Sequence, residues 1–128
     1  MPVIQTKESG TVSTYLINHL RIPGDVPSEA GLTYLENVDR TIQPYGGRWL
    51  AMGAPTVVEG AWPGSAVLME FPDRESAEAW YRSEEYQQIL PLRTGGSIAD
   101  LVFIDSADPG FTAAGFAASV REAIAAAH

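Results

Sequence analysis

Residues 65–83, SAVLMEFPDRESAEAWYRS, join a strand to a helix and indicate the fold more clearly than any other stretch. The strand part alternates so that Val67, Met69 and Phe71 share one wholly apolar face, as a strand that lies under helices requires. A proline and Asp73 then end the strand, and Asp73 suits the N-cap of a helix. The stretch therefore predicts a buried strand that leads directly into an amphipathic helix.

Downstream, a second helix and a last strand complete this half of the chain. Ser83 can cap the helix, and Tyr86 and Ile89 belong to its apolar stripe. After a proline and two glycines, residues 98–106, IADLVFIDS, are apolar on both faces. Such a pattern is typical of a central strand or of one covered on both sides.

Upstream, a strand and a helix are predicted in the same order. Residues 13–22, STYLINHLRI, alternate as a strand, and the breaker sequence PGDVP follows them. Ser28 can cap the next helix, whose apolar stripe recurs at three- and four-residue spacing. That stripe consists of Leu32, Leu35, Val38 and Ile42. Residues 1–12 are predicted to be a polar, aperiodic lead-in.

Residues 45–60, YGGRWLAMGAPTVVEG, connect the two halves. The two glycines follow a helix, where they let the chain turn through positive φ, whereas a phosphate-binding loop would precede a helix. We expect an extended segment over 48–59, with a bulge or kink near Gly53, that forms a hairpin with 65–71. The expected register places Glu59 opposite Ala66. It puts Val57, Glu59, Leu68 and Glu70 on the face turned away from the helices.

The predicted order of elements is β-α-β-β-α-β, followed by an extra helix near residues 112–127. This is the ferredoxin-like arrangement of the α+β class, with an antiparallel sheet. The apolar side chains of the extra helix are Phe116, Val120 and Ile124. We expect a single domain over residues 1–128, with a core at 13–106 and a helical extension at 107–128.

Composition excludes several classes of function. The 128 residues carry a formal net charge of −8 with only eight lysines and arginines, which disfavours binding to nucleic acid. The absence of cysteine excludes disulfides, thiolate catalysis and cysteine-ligated metals. No signal peptide or membrane span is recognisable, so a cytoplasmic protein without membrane partners is expected.

Four segments together resemble the bacterial family called domain of unknown function 1330. In that family a helix leads into Tyr-Gly-Gly-Arg, a strand ends in Glu-Gly, and Glu-Phe-Pro opens a helix. The matching segments are YGGRWLAMG, VVEGAWPG, VLMEFPDRESAEAWYRSEEYQQILPLR and DLVFID, and the resemblance covers roughly residues 13–106. Three features depart from the family pattern: Met52 replaces a common arginine, residues 23–27 are an insertion, and the tail after about residue 107 is longer.

The resemblance implies a homodimeric α/β barrel in which two sheets pack face to face. The wider superfamily includes cofactor-free monooxygenases, cyclases of aromatic polyketides, haem enzymes and proteins that only bind ligands. The family itself has no agreed activity. The chain contains no recognisable cofactor motif, so no cofactor is expected.

His19 and Glu70 are the candidate catalytic residues, and Glu59, expected beside Glu70, is a candidate ligand-binding residue. His19 is the one histidine besides the terminal His128, which argues against a multi-histidine metal site, although a haem ligand stays open in principle. It could act as a general base, a role that histidine side chains often take, or it is a strand histidine satisfied by hydrogen bonds. Glu59 and Glu70 on one face could raise the pKa of one carboxyl, or each could pair with an arginine.

Besides Glu59, the candidate ligand-binding residues are two arginines and three aromatic residues. Arg48 and Arg93 could bind an anionic or carbonyl ligand, or pair with the two glutamates. Tyr45, Trp49 and Trp62 are expected near the rim of a cavity, although aromatic residues more often serve packing. The hypothesis is a homodimer that binds or transforms a small organic molecule by cofactor-free oxygenase or cyclase chemistry. The alternative is a non-catalytic ligand-binding or accessory dimer.

Overall fold

A computed structural model describes residues 12–127, and four strands within them form one antiparallel sheet. The strands are β1 (Thr14–Arg21), β2 (Arg48–Gly53), β3 (Ser65–Phe71) and β4 (Ile98–Asp105), in the spatial order β2-β3-β1-β4. This order is that of the ferredoxin-like βαββαβ fold and confirms the predicted fold class. Of the predicted lead-in, residues 1–12, only Val12 lies within the described residues.

The helices begin at the predicted caps. They are α1 (Glu29–Ile42), α2 (Arg74–Arg82), α3 (Glu84–Thr94) and α4 (Ala113–Ala126). The side chains of Ser28, Asp73 and Ser83 each accept a hydrogen bond from the backbone N–H three residues later, at 2.7 to 3.2 Å. These bonds satisfy backbone donors that a helix leaves free in its first turn. Within residues 12–127 no helix combines the length and the hydropathy that crossing a bilayer would need.

One face of the sheet is covered by α1, α2 and α3, and the core lies there. This helix-covered face carries Leu16 of β1 and Val67, Met69 and Phe71 of β3, all buried, which confirms the predicted apolar face of β3. The helices contribute a second set of buried residues: Val38, Ile42, Ala77, Trp80, Tyr86 and Ile89. The opposite face, called the open face below, carries the alternate residues of each strand.

The two glycines after α1 have separate tasks. Gly46 adopts a left-handed conformation with φ of 75°, which favours glycine. Gly47 is needed because its neighbours are close: an added Cβ would lie 2.3 Å from Ile42 Cγ2 and 2.7 Å from Phe71 Cε2. Both glycines therefore serve the turn and the packing of α1 against β3, as the hairpin interpretation requires.

The predicted length and register of β2 were wrong. The strand ends at Gly53, and Gly53, not Glu59, lies opposite Ala66. A bulge between Trp49 and Ala51 shifts the register. Gly53 has a φ of 149°, and the following Pro55 has no N–H to donate to a strand ladder, so pairing stops there. Residues 54–64 form a loop, and Glu59 lies in that loop.

Of the two alternatives predicted for β4, the central position is wrong. β4 is an edge strand beside β1 and not a central one. Its open-face side chains Ile98, Val102 and Ile104 are 60%, 53% and 52% exposed. The apolar pattern of β4 therefore reflects a face that nothing within the described chain covers.

The described chain divides into two compact units at Ser106. Ser13–Ser106 holds the sheet and helices α1 to α3, and the residues from Ala107 onward belong to the other unit. In that unit Thr112 caps α4 by accepting a hydrogen bond from the backbone N–H of Gly115 at 3.0 Å. The predicted C-terminal helix is therefore present.

Candidate functional site

A cavity of about 270 Å³ lies between the helix-covered face of the sheet and helices α1 and α3. Its floor is formed by side chains of all four strands, because alternate residues of each strand point to this face. Most of the wall is apolar. The apolar side chains include Leu16, Leu20, Leu35, Val38, Val67, Met69 and Leu101.

One side of the cavity is open between α1 and β2. Leu35 of α1 and Trp49 and Met52 of β2 line the cavity and are also 39%, 39% and 60% exposed. The indole N–H of Trp49 donates to Asp39 Oδ1 at 2.7 Å, which holds this side chain against α1. These three residues therefore mark an entrance with apolar edges.

Two tyrosines and an arginine form a connected polar part of the wall, whose other polar side chains are Asn18, Asp25, Ser28, Ser65 and Ser97. Tyr34 of α1 and Tyr86 of α3 are joined by a hydrogen bond of 2.8 Å between their hydroxyl groups. Arg93, at the end of α3, donates from Nη2 to the Tyr86 hydroxyl at 3.5 Å, and its guanidinium carbon lies 5.8 Å from the centroid of the Tyr34 ring. The three side chains thus form one connected cluster, called the Tyr–Arg cluster below.

The charge state of this cluster follows from its burial. Burial, followed by the neighbouring Tyr86, raises the pKa of Tyr34 far above its ordinary value, so Tyr34 is a neutral hydroxyl group at neutral pH. Burial by itself lowers the pKa of Arg93, but the two tyrosines outweigh it and the net change is upward. The cluster therefore presents a guanidinium cation beside the neutral hydroxyl group of Tyr34.

Two buried polar atoms on the cavity-lining residues have no hydrogen-bond partner within the described chain. They are Oδ1 of Asn18, a residue only 8% exposed, and Nε of Arg93. Asn18 follows Leu16 on the helix-covered side of β1, where the other positions are apolar or small. Since buried polar groups are usually hydrogen-bonded, these two atoms are exceptions, and neighbouring atoms cover both of them.

The structure places only two of the eight predicted site residues in the cavity. Arg93 and Trp49 line it. Glu70 and Arg48 lie on the open face, where Arg48 Nε and Nη2 donate to Glu70 Oε1 at 2.8 and 2.6 Å. Hydrogen bonds from Ser13 and then from Arg48 hold the pKa of Glu70 below its ordinary value, which is the opposite of what a general acid needs.

His19 also lies on the open face, and its partners are structural. Its Nε2 is 2.6 Å from the carbonyl oxygen of Pro63, and its ring lies 4.1 Å from the ring of Trp62. The indole N–H of Trp62 donates to the carbonyl oxygen of Ser65 at 3.1 Å. His19 and Trp62 therefore hold the end of the loop 54–64 against β1 and β3.

The remaining two predicted residues are separate from the cavity. Glu59 is exposed in the loop 54–64, and Tyr45 packs against the hydrophobic core after α1. The expected pair of Glu59 and Glu70 is not formed, because β2 ends six residues before Glu59. The predicted polar wall of His19, Arg48, Glu59 and Glu70 is therefore not the wall of this cavity.

Sequence reasoning missed Asn18, Tyr34 and Tyr86 as cavity residues. The alternation of β1 already puts Asn18 on the same side as Leu16, and an amide on an apolar strand face is a usable signal. No comparable signal existed for the tyrosines, since an aromatic residue on an amphipathic helix usually packs in a core. Within residues 12–127 no group of three or more His, Asp or Glu side chains could hold a metal ion.

Comparison with known families supports the resemblance seen in the sequence. The family model "Domain of unknown function (DUF1330)" matches residues 13–107, well over half of the chain. The chain belongs to this family. The match spans the sheet and helices α1 to α3 of the DUF1330 fold and ends just after β4. No curated protein matches the chain.

Solved structures confirm the fold of this DUF1330 protein. A protein of unknown function from Rhodopseudomonas palustris is 16% identical, with a TM-score of 0.61 and coverage of 82% of this chain and 96% of that chain. A dimeric ferredoxin-like protein of unknown function from Thermobifida fusca is 13% identical, with a TM-score of 0.53 and coverage of 80% and 97%. SnoaB, a cofactor-independent oxygenase from Streptomyces nogalater, is 9% identical, with a TM-score of 0.52 and coverage of 80% and 99%. Identities this low show a shared fold and no more.

Proposed function

We propose that the protein binds a small, largely apolar organic molecule in the cavity between α1, α3 and the sheet. The cavity itself carries the proposal. At about 270 Å³ it is far larger than the voids of packed protein interiors, which rarely exceed the size of a water molecule. It also combines apolar walls with a few polar groups, which is the usual composition of a ligand pocket.

A pair of tryptophan variants on α1 tests this proposal. Leu35 lines the cavity, whereas Leu32, one helical turn earlier, does not, and the two are similarly exposed at 39% and 42%. Leu35→Trp should narrow the cavity, and Leu32→Trp is the matched control. A thermal-shift screen of monocyclic aromatic compounds should give hits on the wild type and on Leu32→Trp that Leu35→Trp loses. A ligand at about 100 times its Kd adds about 2.7 kcal/mol of stability, which is readily detected. Hits that Leu35→Trp retains unchanged would contradict the proposal.

We also propose that the protein is a homodimer that buries the open face. Ile98, Val102 and Ile104 form an exposed apolar row on β4, and rows of this kind mark interfaces. The similar protein from Thermobifida fusca is described as dimeric. Sedimentation should therefore show a dimer at micromolar concentration. Val102→Lys should release monomers, whereas Leu32→Lys, on the helical side, should not. A wild-type protein that sediments as a monomer would contradict the proposal.

Cofactor-free oxygenation of the bound molecule is a second candidate function. SnoaB, named a cofactor-independent oxygenase, shares this fold. In addition, the Tyr–Arg cluster places a cation and hydroxyl groups beside an apolar space, where they could stabilise a developing oxyanion. An oxygen electrode distinguishes this candidate from simple binding: a compound that raises the melting temperature and also consumes oxygen supports catalysis. A compound recovered unchanged, with no oxygen consumed, supports the non-catalytic alternative.

A further inference from the structure

We infer that the ligand of this cavity is a small monoanion, about the size of a substituted benzoate, whose acidic oxygen atoms bind to Arg93 and a tyrosine hydroxyl group. The inference rests on the proposed binding function and names the chemical class of the ligand. It is argued from the donors of the cluster, from the charge of Arg93 and from the size of the cavity.

The Tyr–Arg cluster has more donors than acceptors. Tyr34 and Tyr86 contribute one hydroxyl hydrogen each, and their mutual hydrogen bond uses only one of them, whichever group donates. Arg93 cannot accept the other hydrogen, because a guanidinium group is only a donor. No other described residue forms a hydrogen bond with either hydroxyl group. One hydroxyl donor beside Arg93 is therefore free.

Arg93 itself is incompletely paired. The polar contacts of its side chain with the described chain are those with the two tyrosines, including the long hydrogen bond from Nη2 to Tyr86, and Nε has no partner. Among residues 12–127 no carboxylate forms a salt bridge with it. The one carboxylate along the cavity is that of Asp25, which is exposed, so its field at Arg93 is weakened by solvent.

An anion in the cavity would give the half-buried Arg93 cation the counter-ion that the described chain does not supply. Carboxylate and phenolate oxygens accept charge-assisted hydrogen bonds from guanidinium and hydroxyl donors, and these are stronger than bonds between neutral groups. A neutral ligand of the same shape could accept a hydrogen bond from Arg93 through a carbonyl oxygen, but it would leave the cation without a counter-ion. The cluster therefore selects for negative charge.

The volume indicates how much of the molecule the cavity encloses. At about 30 Å³ for each water molecule, 270 Å³ holds about nine waters, and hence encloses roughly ten non-hydrogen atoms of a ligand. The apolar walls suit a single ring or a short hydrocarbon chain.

Calorimetric titration with two probes of equal size tests the inference. The probes are 4-methylbenzoate and its neutral isostere 4-methylbenzamide, at pH 7. The wild type should bind the acid at least about tenfold more tightly than the amide. Arg93→Met should remove this preference, and Tyr34→Phe, which keeps the ring, should reduce it several-fold. Arg82→Met is the matched control, because Arg82 is exposed on α2 and pairs with Glu78.

The outcomes separate the two proposals. A preference for the acid that Arg93→Met abolishes and Arg82→Met retains supports the inference, provided that Arg93→Met still binds the amide and is therefore folded. If Arg93→Met does not fold, Tyr34→Phe tests the inference instead, and its preference for the acid over the amide should be reduced. Equal binding of acid and amide by the wild type would overturn the inference and leave the binding function intact. Failure of the wild type to bind either probe would count against both proposals.

Discussion

Substituting Gly47 with alanine should destabilise the protein, because the space for a methyl group is already occupied. The added Cβ would lie 2.3 Å from Ile42 Cγ2 and 2.7 Å from Phe71 Cε2, where carbon atoms ordinarily approach to about 3.5 Å. Ile42 and Phe71 are 1% and 0% exposed, so neither can move toward solvent. Either α1 or β3 must therefore shift.

The expected magnitude follows from two opposing effects. Overpacking a core by one carbon costs about 1–3 kcal/mol. Replacing glycine with alanine also restricts the unfolded chain, which restores about 0.4–1 kcal/mol. The net loss should be about 1–2 kcal/mol. For a core of this size it corresponds to a decrease of roughly 5–15 °C in the melting temperature.

Urea denaturation and thermal melts of Gly47→Ala measure this loss, and Gly110→Ala is the control. No atom lies within 4 Å of a Cβ built on Gly110, so that variant should match the wild type or gain slightly. A Gly47→Ala variant as stable as the wild type would contradict the close packing of α1 against β3. It would also contradict the position of α1 as the roof of the cavity.

Three further predictions concern the open face, its loop and the C-terminal unit. Glu70→Gln should lower stability at neutral pH by up to about 1 kcal/mol, since it breaks the pair with exposed Arg48. The folded pKa of Glu70 is lowered, so its contribution is present above the unfolded pKa and is lost as the pH falls through the folded pKa. Urea denaturation at a series of pH values should show the unfolding free energies of the wild type and Glu70→Gln converge as the pH falls. A difference in unfolding free energy that stays constant with pH would contradict the lowered pKa of Glu70. His19→Ala should speed amide hydrogen exchange in the loop 54–64 and leave ligand binding unchanged, whereas weakened binding would restore His19 as a site residue. Truncation after Ser106 should lower the melting temperature or weaken dimerisation, and sedimentation with thermal melts would detect either. If neither the melting temperature nor dimerisation changed, α4 would contribute nothing to stability.

Local sequence signals predicted most of the fold. The caps at Ser28, Asp73 and Ser83 are side chains that act within one helical turn, so the sequence alone locates them. The end of β2 was missed because residues 57–59 have the composition of a strand, and pairing stopped earlier at Gly53. The edge position of β4 was missed because an apolar face looks the same in sequence whether it is covered by helices or by another chain.

The candidate site could be predicted only in small part. The charged residues that attract attention, Glu70, Arg48 and His19, lie on strands at positions whose alternation points to the open face. The cavity depends instead on how completely the side chains of α1, α3 and the sheet fill the space between them. Tyr34, Tyr86 and Arg93 meet only because α1 packs beside α3, a contact that residue spacing does not reveal. Asn18 alone could have been found, from the alternation of β1.

The position of the ligand tests the central claim most directly. A titration of ¹⁵N-labelled protein with 4-methylbenzoate, followed by two-dimensional NMR, maps that position residue by residue. If the ligand binds in the cavity, the largest changes in amide chemical shift should fall on Asn18, Tyr34, Val67 and Arg93. Shifts concentrated instead around Glu70 on the open face, or no shifts at millimolar ligand, would contradict it.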